Sequence, residues 1–211
     1  MDPSGTASRV LGRAALVGLA VIAVVAVRFL EFDGASPVAE KAVAPPAASA
    51  TASTGGQAAA AQPTELRIPS IGVRSPLVDL GRLADGTLEV PTDYQVAGWY
   101  AGGPSPGDAG GPPAVIAGHV DSTSGPAVFY RLHELKKGSK IEVSGIDGAV
   151  RTFTVYRMAD YPKTGFPTGE VYAPSDRAEL RLITCSGDFD RAAGAYVDNL
   201  VAYATLDGGA R

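Results

Sequence analysis

From Glu65 onward no stretch of about 12 residues or more keeps a 3.6-residue apolar period; short apolar or alternating runs are cut apart by glycine and proline instead. The runs are Leu66 to Val73, Thr87 to Val90, Ala114 to Ala117, Lys140 to Val143, Thr152 to Arg157, Glu179 to Thr184 and Tyr196 to Thr205. Alternation is clearest in Arg151-Thr152-Phe153-Thr154-Val155-Tyr156 and in Glu179-Leu180-Arg181-Leu182-Ile183. Such a pattern suits pleated strands and not a helix face, so it predicts a small all-β barrel or sandwich with a short helical turn at Val128 to Leu135. The 26 Gly and 16 Pro of the chain supply the turns between strands.

The N-terminus follows another pattern. Arg9 and Arg13 precede an uncharged apolar run from Ala14 to Val27, and Glu31 and Asp33 follow it. Counted from Val10 to Leu30, with flanking arginines reaching for the interfaces, the run gives about 31 Å of helix, close to a bilayer core. Residues 1–33 therefore read as a cytoplasmic stub and a single transmembrane signal-anchor, with the basic side inside and the rest of the chain outside the cell. A cleaved signal peptide and a buried core helix are the competing readings of this run. Residues 34–64 are dominated by Ala, Pro, Ser, Thr, Gly and Gln, cannot bury enough surface to offset their ordering entropy, and read as a disordered linker before a folded domain at 65–211.

A formal net charge of −4, from 22 Asp+Glu against 18 Lys+Arg, leaves no excess of positive charge to neutralise phosphates, so nucleic acid is not an expected partner. One Cys excludes an intramolecular disulfide and a multi-cysteine metal site. The acidic residues are dispersed without HExxH or EF-hand spacing, and the Gly102 to Gly111 loop is interrupted by proline. No metal or cofactor is expected.

The lone thiol, Cys185, closes Leu180-Arg181-Leu182-Ile183-Thr184-Cys185-Ser186-Gly187, where a buried strand gives way to a glycine-containing loop. A rigid strand would fix its position while the loop leaves room for a substrate. His119 stands in an equivalent place after Ala114-Val115-Ile116-Ala117-Gly118, at the end of another apolar strand. A Cys and a His on facing strand ends make a nucleophile and a proton carrier for acyl transfer. The developing oxyanion needs donors, and Arg191 is the nearest candidate after the thiol. His133, on a polar stretch, reads as solvated.

Taken together, Ala117-Gly118-His119-Val120-Asp121 and Leu182-Ile183-Thr184-Cys185 behind an anchor and a tether resemble the sortase family. The second fragment is similar to the family's TLxTC signature, with Arg181 where the pattern usually has Thr. The resemblance spans Leu66 to Leu206. Gly125-Pro126-Ala127-Val128-Phe129, Cys185-Ser186-Gly187-Asp188-Phe189-Asp190 and Tyr196-Val197-Asp198-Asn199 are similar to the class F branch of high-GC Gram-positive bacteria. The resemblance implies an eight-stranded sortase β-barrel that cleaves an LPxTG-like sorting signal of secreted surface proteins. A thioacyl intermediate then passes to an amine of a peptidoglycan precursor or a pilin.

Carried onto this chain, the resemblance makes Cys185 the nucleophile and His119 the proton carrier. Sortases generally supply an Arg from the strand after the Cys loop, yet Tyr196 to Leu206 contains neither Arg nor Lys. Arg191 is therefore nominated for that role, with Asn199 and Arg131 as substitutes. Asp121 is placed beside the site to orient His119 or the local turn, and Thr184 along the peptide groove. Two rivals remain at this stage: an L,D-transpeptidase-like cell-wall cysteine enzyme, and an anchored β-barrel that binds peptide without turnover.

Overall fold

The computed structural model describes residues 61–208 except Asp85. The expected transmembrane run and nearly all of the expected linker lie outside the described residues. Among the described residues no helix is long and apolar enough to cross a membrane. The described residues form ten strands: β1 (Pro63–Ile68), β2 (Val73–Leu80), β3 (Ala97–Tyr100), β4 (Ala114–Ala117), β5 (Asp121–Ser122), β6 (Gly125–Pro126), β7 (Lys140–Gly145), β8 (Val150–Pro162), β9 (Glu179–Asp190) and β10 (Ala195–Leu206). Eight of them close a barrel in the order β1-β2-β3-β4-β9-β10-β8-β7, while β5 and β6 form a separate two-stranded ribbon. The all-β expectation resolves to the barrel, and closure leaves none of those eight strands with a bare edge.

Alternation along each strand divides the residues between two apolar clusters. Leu66 and Ile68, Ala97 and Trp99, Ala114 and Ile116, Ile141 and Val143, Phe153 and Val155, Leu180 and Leu182, and Leu200, Ala202 and Ala204 fill the barrel interior. The intervening residues Val115, Ala117, Ile183, Val201 and Tyr203 face outward into a second cluster, covered by Phe166, Val171 and Tyr172. The period of two thus puts apolar residues on both sides of β4, β9 and β10, which is why these strands read as continuous apolar runs. The cover comes from the β8–β9 connection, which carries a short 3-10 turn at Lys163–Gly165 and a one-turn helix, α1 (Thr168–Val171).

Arg181 explains its own departure from the signature. It is buried on β9 at 3% exposure, its Nε donates to the Val171 carbonyl at 2.9 Å, and its Nη2 donates to Glu179 at 2.6 Å. Its guanidinium lies 4.3 Å from the Tyr203 ring centroid. The side chain fastens the covering segment to the barrel wall, a task that a Thr is too short to perform.

Several expected boundaries shift. The run Leu66 to Val73 is two strands: a 3-10 turn at Pro69–Ile71 breaks it, and Gly72 takes φ +70° to send the chain back as β2. Thr87 to Val90 forms a loop that contributes only an isolated bridge at Leu88. β3 carries no strand signature in the sequence, because its four residues include Gly98 and no polar position to mark alternation. The expected helical turn shrinks to a 3-10 turn at Leu132–Glu134. β1 starts at Pro63, two residues before the expected domain boundary.

Candidate active site

The sheet register brings the two reactive side chains together. β4 runs parallel to β9 with Ala117 opposite Ile183, and Gly118 N donates to the Ile183 carbonyl at 3.2 Å, so the pairing continues beyond the end of β4. Two residues further along both chains stand His119 and Cys185, which share the parity of the outward-facing Ala117 and Ile183. On the other side Asn199 of β10 pairs with Cys185, and Tyr161 of β8 pairs with Asn199. One row across the sheet therefore reads Cys185, Asn199, Tyr161, and His119 stands just past the end of β4 on the other side of Cys185.

Cys185 lies within β9 and not at its end, which corrects the expected strand-to-loop position. β9 continues to Asp190 because Gly187, at φ +76°, makes a bulge against β10 rather than a turn; a Cβ there would run into the Asp198 carboxylate. After Ile183 the strand loses its β4 neighbour and projects as a hairpin with β10, and its residues become exposed from Gly187 on. The thiol sits where the sheet leaves the barrel, half-buried and free.

A cavity of about 280 Å³ opens over this place. His119, Cys185, Asp121, Lys163, Tyr94 and Tyr196 are among the residues lining it. Cys185 Sγ accepts from Lys163 Nζ at 3.5 Å. The buried His119 ring lies 4.3 Å from the Tyr94 ring, centroid to centroid, and its Nε2 is 2.7 Å from the Pro91 carbonyl oxygen. A carbonyl only accepts, so Nε2 carries a proton and Nδ1 is left as the nitrogen that can gain or lose one.

The His119 loop is fixed from below. The Thr184 hydroxyl, almost completely buried, donates to the Gly118 carbonyl at 2.9 Å, and Phe129 N donates to the His119 carbonyl at 2.9 Å. Gly118 is required by space: a Cβ there would sit 2.7 Å from Phe129 and 2.8 Å from Val128. Thr184 thus serves as a tie between β9 and the His loop, through its side chain and not only through its main chain.

The other nominated residues fall in different places. Asp121, on β5, accepts from the Tyr196 hydroxyl and clasps the His loop to the β9–β10 hairpin instead of touching the imidazole. That carboxylate, with burial second, pushes the Tyr196 phenol up to about 12. Asn199 is 1% exposed and does not line the cavity; its Nδ2 has no hydrogen-bond partner. Arg191 is exposed on the hairpin turn, outside the cavity lining, while Asp190 accepts from Ala192 N and Ala193 N to shape that turn. Arg131 is committed to Glu134 at 2.8 and 2.7 Å and to the Ile71 carbonyl at 3.1 Å, and it lines a different cavity. None of the residues foreseen in place of the strand arginine lines the cavity that holds the thiol. His133 is exposed, its Nδ1 3.0 Å from the Tyr130 carbonyl oxygen.

Sequence reasoning missed Lys163, Tyr94 and Tyr196. Lys163 lies 22 positions before Cys185 in a Pro-Lys-Thr-Gly turn, and nothing in that spacing signals contact. Among the described residues no group of three or more His, Cys, Asp and Glu side chains could hold a metal ion.

A family model described as the sortase domain matches residues 66–207, well over half the chain. The chain belongs to the sortase family. Sortases are cysteine transpeptidases, and the single thiol of this one stands in the cavity just described. The fold is similar to that of the Group B Streptococcus pilus island 1 sortase C2, with a TM-score of 0.53 at 19% identity over 68% of this chain and 72% of that one. Sortase C-1 of Actinomyces oris superposes with a TM-score of 0.52 at 22% identity, over 68% and 72% of the two chains. A lid mutant of Corynebacterium diphtheriae sortase A gives a TM-score of 0.52 at 19% identity, over 68% and 69%. No curated protein matches the sequence. At these identities the structural likenesses establish the barrel fold of this sortase.

Proposed function

We propose that the protein is a membrane-anchored, extracytoplasmic sortase of the class F type that cleaves an LPxTG-like sorting signal and transfers the acyl group to an amine of a cell-wall precursor or pilin. The observation that carries this reading is the placement of His119 and Cys185, each two residues beyond the last β4–β9 pair, on the wall of one cavity. The Cys185 thiolate attacks the Thr carbonyl of the signal: a C–S bond forms, and the carbonyl π pair moves to oxygen. When the oxyanion collapses, the C–N bond breaks and the leaving amine takes the proton from His119 Nδ1. The acceptor amine then attacks the thioester, gives a proton back to Nδ1, and the thiolate leaves. The Pro91 carbonyl holds Nε2–H through both half-reactions, so the imidazole exchanges its proton without turning.

The anchor rests on the apolar run Ala14 to Val27 with its basic leading flank. The class F assignment rests on the wording around His119, Cys185 and Asn199. The test is incubation of the full-length protein with an LPxTG-type peptide, read by intact mass. A thioacyl adduct on wild type and none on Cys185→Ala is the expected result. Measurable peptide binding without any adduct would instead identify a non-catalytic binding module.

A further inference from the structure

We propose that Lys163 is a catalytic residue of this sortase: its ammonium holds the Cys185 thiolate and then the oxyanion of the tetrahedral intermediates, in the role left open by a β10 that carries no arginine. The inference rests on the transpeptidase reading above. Among the described residues Lys163 is the lysine or arginine that lines the cavity, and its Nζ is 3.5 Å from Sγ. Arg157 is committed to Glu170 and Tyr161, and Arg181 to Glu179 and Val171. Arg131 and Arg191 lie outside the lining.

Lys163 is placed there by the fold. Tyr161 of β8 stands in the Cys185 row through Asn199, and Lys163 follows two residues later. Pro162 still pairs with Asp198, after which the 3-10 turn begins at Lys163 itself. Downstream, Phe166, Val171 and Tyr172 pack on the barrel wall and Arg181 holds the Val171 carbonyl, so the turn is tethered at both ends.

The chemistry asks Lys163 for positive charge and for no proton transfer. The oxyanion is bonded to the carbon that Sγ attacks, so it forms within reach of a group already hydrogen-bonded to Sγ. As charge passes from sulfur to oxygen and back in each half-reaction, the ammonium follows it by a small rotation of a flexible stem. Proton traffic stays with His119. The carboxylate sharing the cavity, Asp121, is engaged by the Tyr196 hydroxyl.

The experiment compares full-length wild type, Lys163→Gln and Lys163→Arg in two reactions: thioacyl-adduct formation with an LPxTG-type peptide, and alkylation of Cys185 by iodoacetamide at neutral pH. Cys185 is the only thiol, so the added mass reports one site. Lys163→Gln is expected to slow acylation by about 10²-fold or more and alkylation by about tenfold. Lys163→Arg should restore most of both. Acylation of Lys163→Gln at the wild-type rate would overturn the role while leaving the transpeptidase reading intact. If wild type itself forms no adduct, that reading fails, and the alkylation rates decide whether Lys163 holds the thiolate: equal rates in wild type and Lys163→Gln reject it.

Discussion

The two edges of the cleft are built by different means. On the His119 edge each constraint closes on the backbone at short range: a parallel register, a glycine pressed under Phe129, a carbonyl held by the Thr184 hydroxyl, and an imidazole nitrogen held by the Pro91 carbonyl. On the opposite edge Lys163 reaches the sulfur by a long side chain from a half-exposed turn, and the segment after that turn is held by apolar packing and one buried guanidinium, Arg181. The contrast teaches that a group which must move a proton is fixed by many short-range constraints. A group that only supplies charge is carried on a flexible arm.

Substitutions can break this contrast, beginning with the largest effect. Arg181→Ala removes a buried cation, leaves Glu179 with only the Tyr156 hydroxyl and strips the Val171 carbonyl of its donor, so chemical unfolding is expected to show a loss of about 3–5 kcal/mol. Release of the Lys163 edge should appear as faster amide exchange across the 163–172 cover than around His119. Gly118→Ala forces a methyl against Phe129 and Val128 and is expected to cost about 1–3 kcal/mol. It should also slow acylation well beyond what that loss explains, because the displaced residue neighbours His119. An unchanged rate would mean that the His edge is not rigid.

Thr184→Val leaves the Gly118 carbonyl without its donor and should cost about 1–2 kcal/mol by the same measurement, with Thr184→Ser recovering most of it. Asp121→Asn tests the clasp over the cavity mouth. Because the Tyr196 phenol is raised in the folded protein, the clasp stabilises fully below the ordinary phenol pKa and is lost as pH climbs through about 12. Ultraviolet titration should show one phenol of the variant returning to about 10. Arg191→Ala is expected to change acylation by less than about twofold, as suits an exposed turn residue.

The barrel was legible where alternation was unbroken, as in β8 and β9, and where an apolar run ended at a reactive residue, as at Ala117 and Thr184. It was illegible at β3, four residues without a polar marker, and at the Pro69 turn, where one run folds into two strands. At the site, Cys185 and His119 declared themselves because both follow apolar runs by a residue or two. Lys163 did not, since its approach depends on how the β8–β9 connection doubles back over the sheet. Arg181 looked like a blemish in a signature, and its purpose emerged only with the carbonyl of Val171 above it.

The half-buried sulfur of Cys185 has no second thiol in the chain to answer it. Peroxide would convert it to a sulfenic acid that cannot form a disulfide within the molecule, so reduction depends on a small thiol or a partner reductase supplied from outside. With one reactive sulfur and no second thiol, the lifespan of the protein is set by the redox company it keeps.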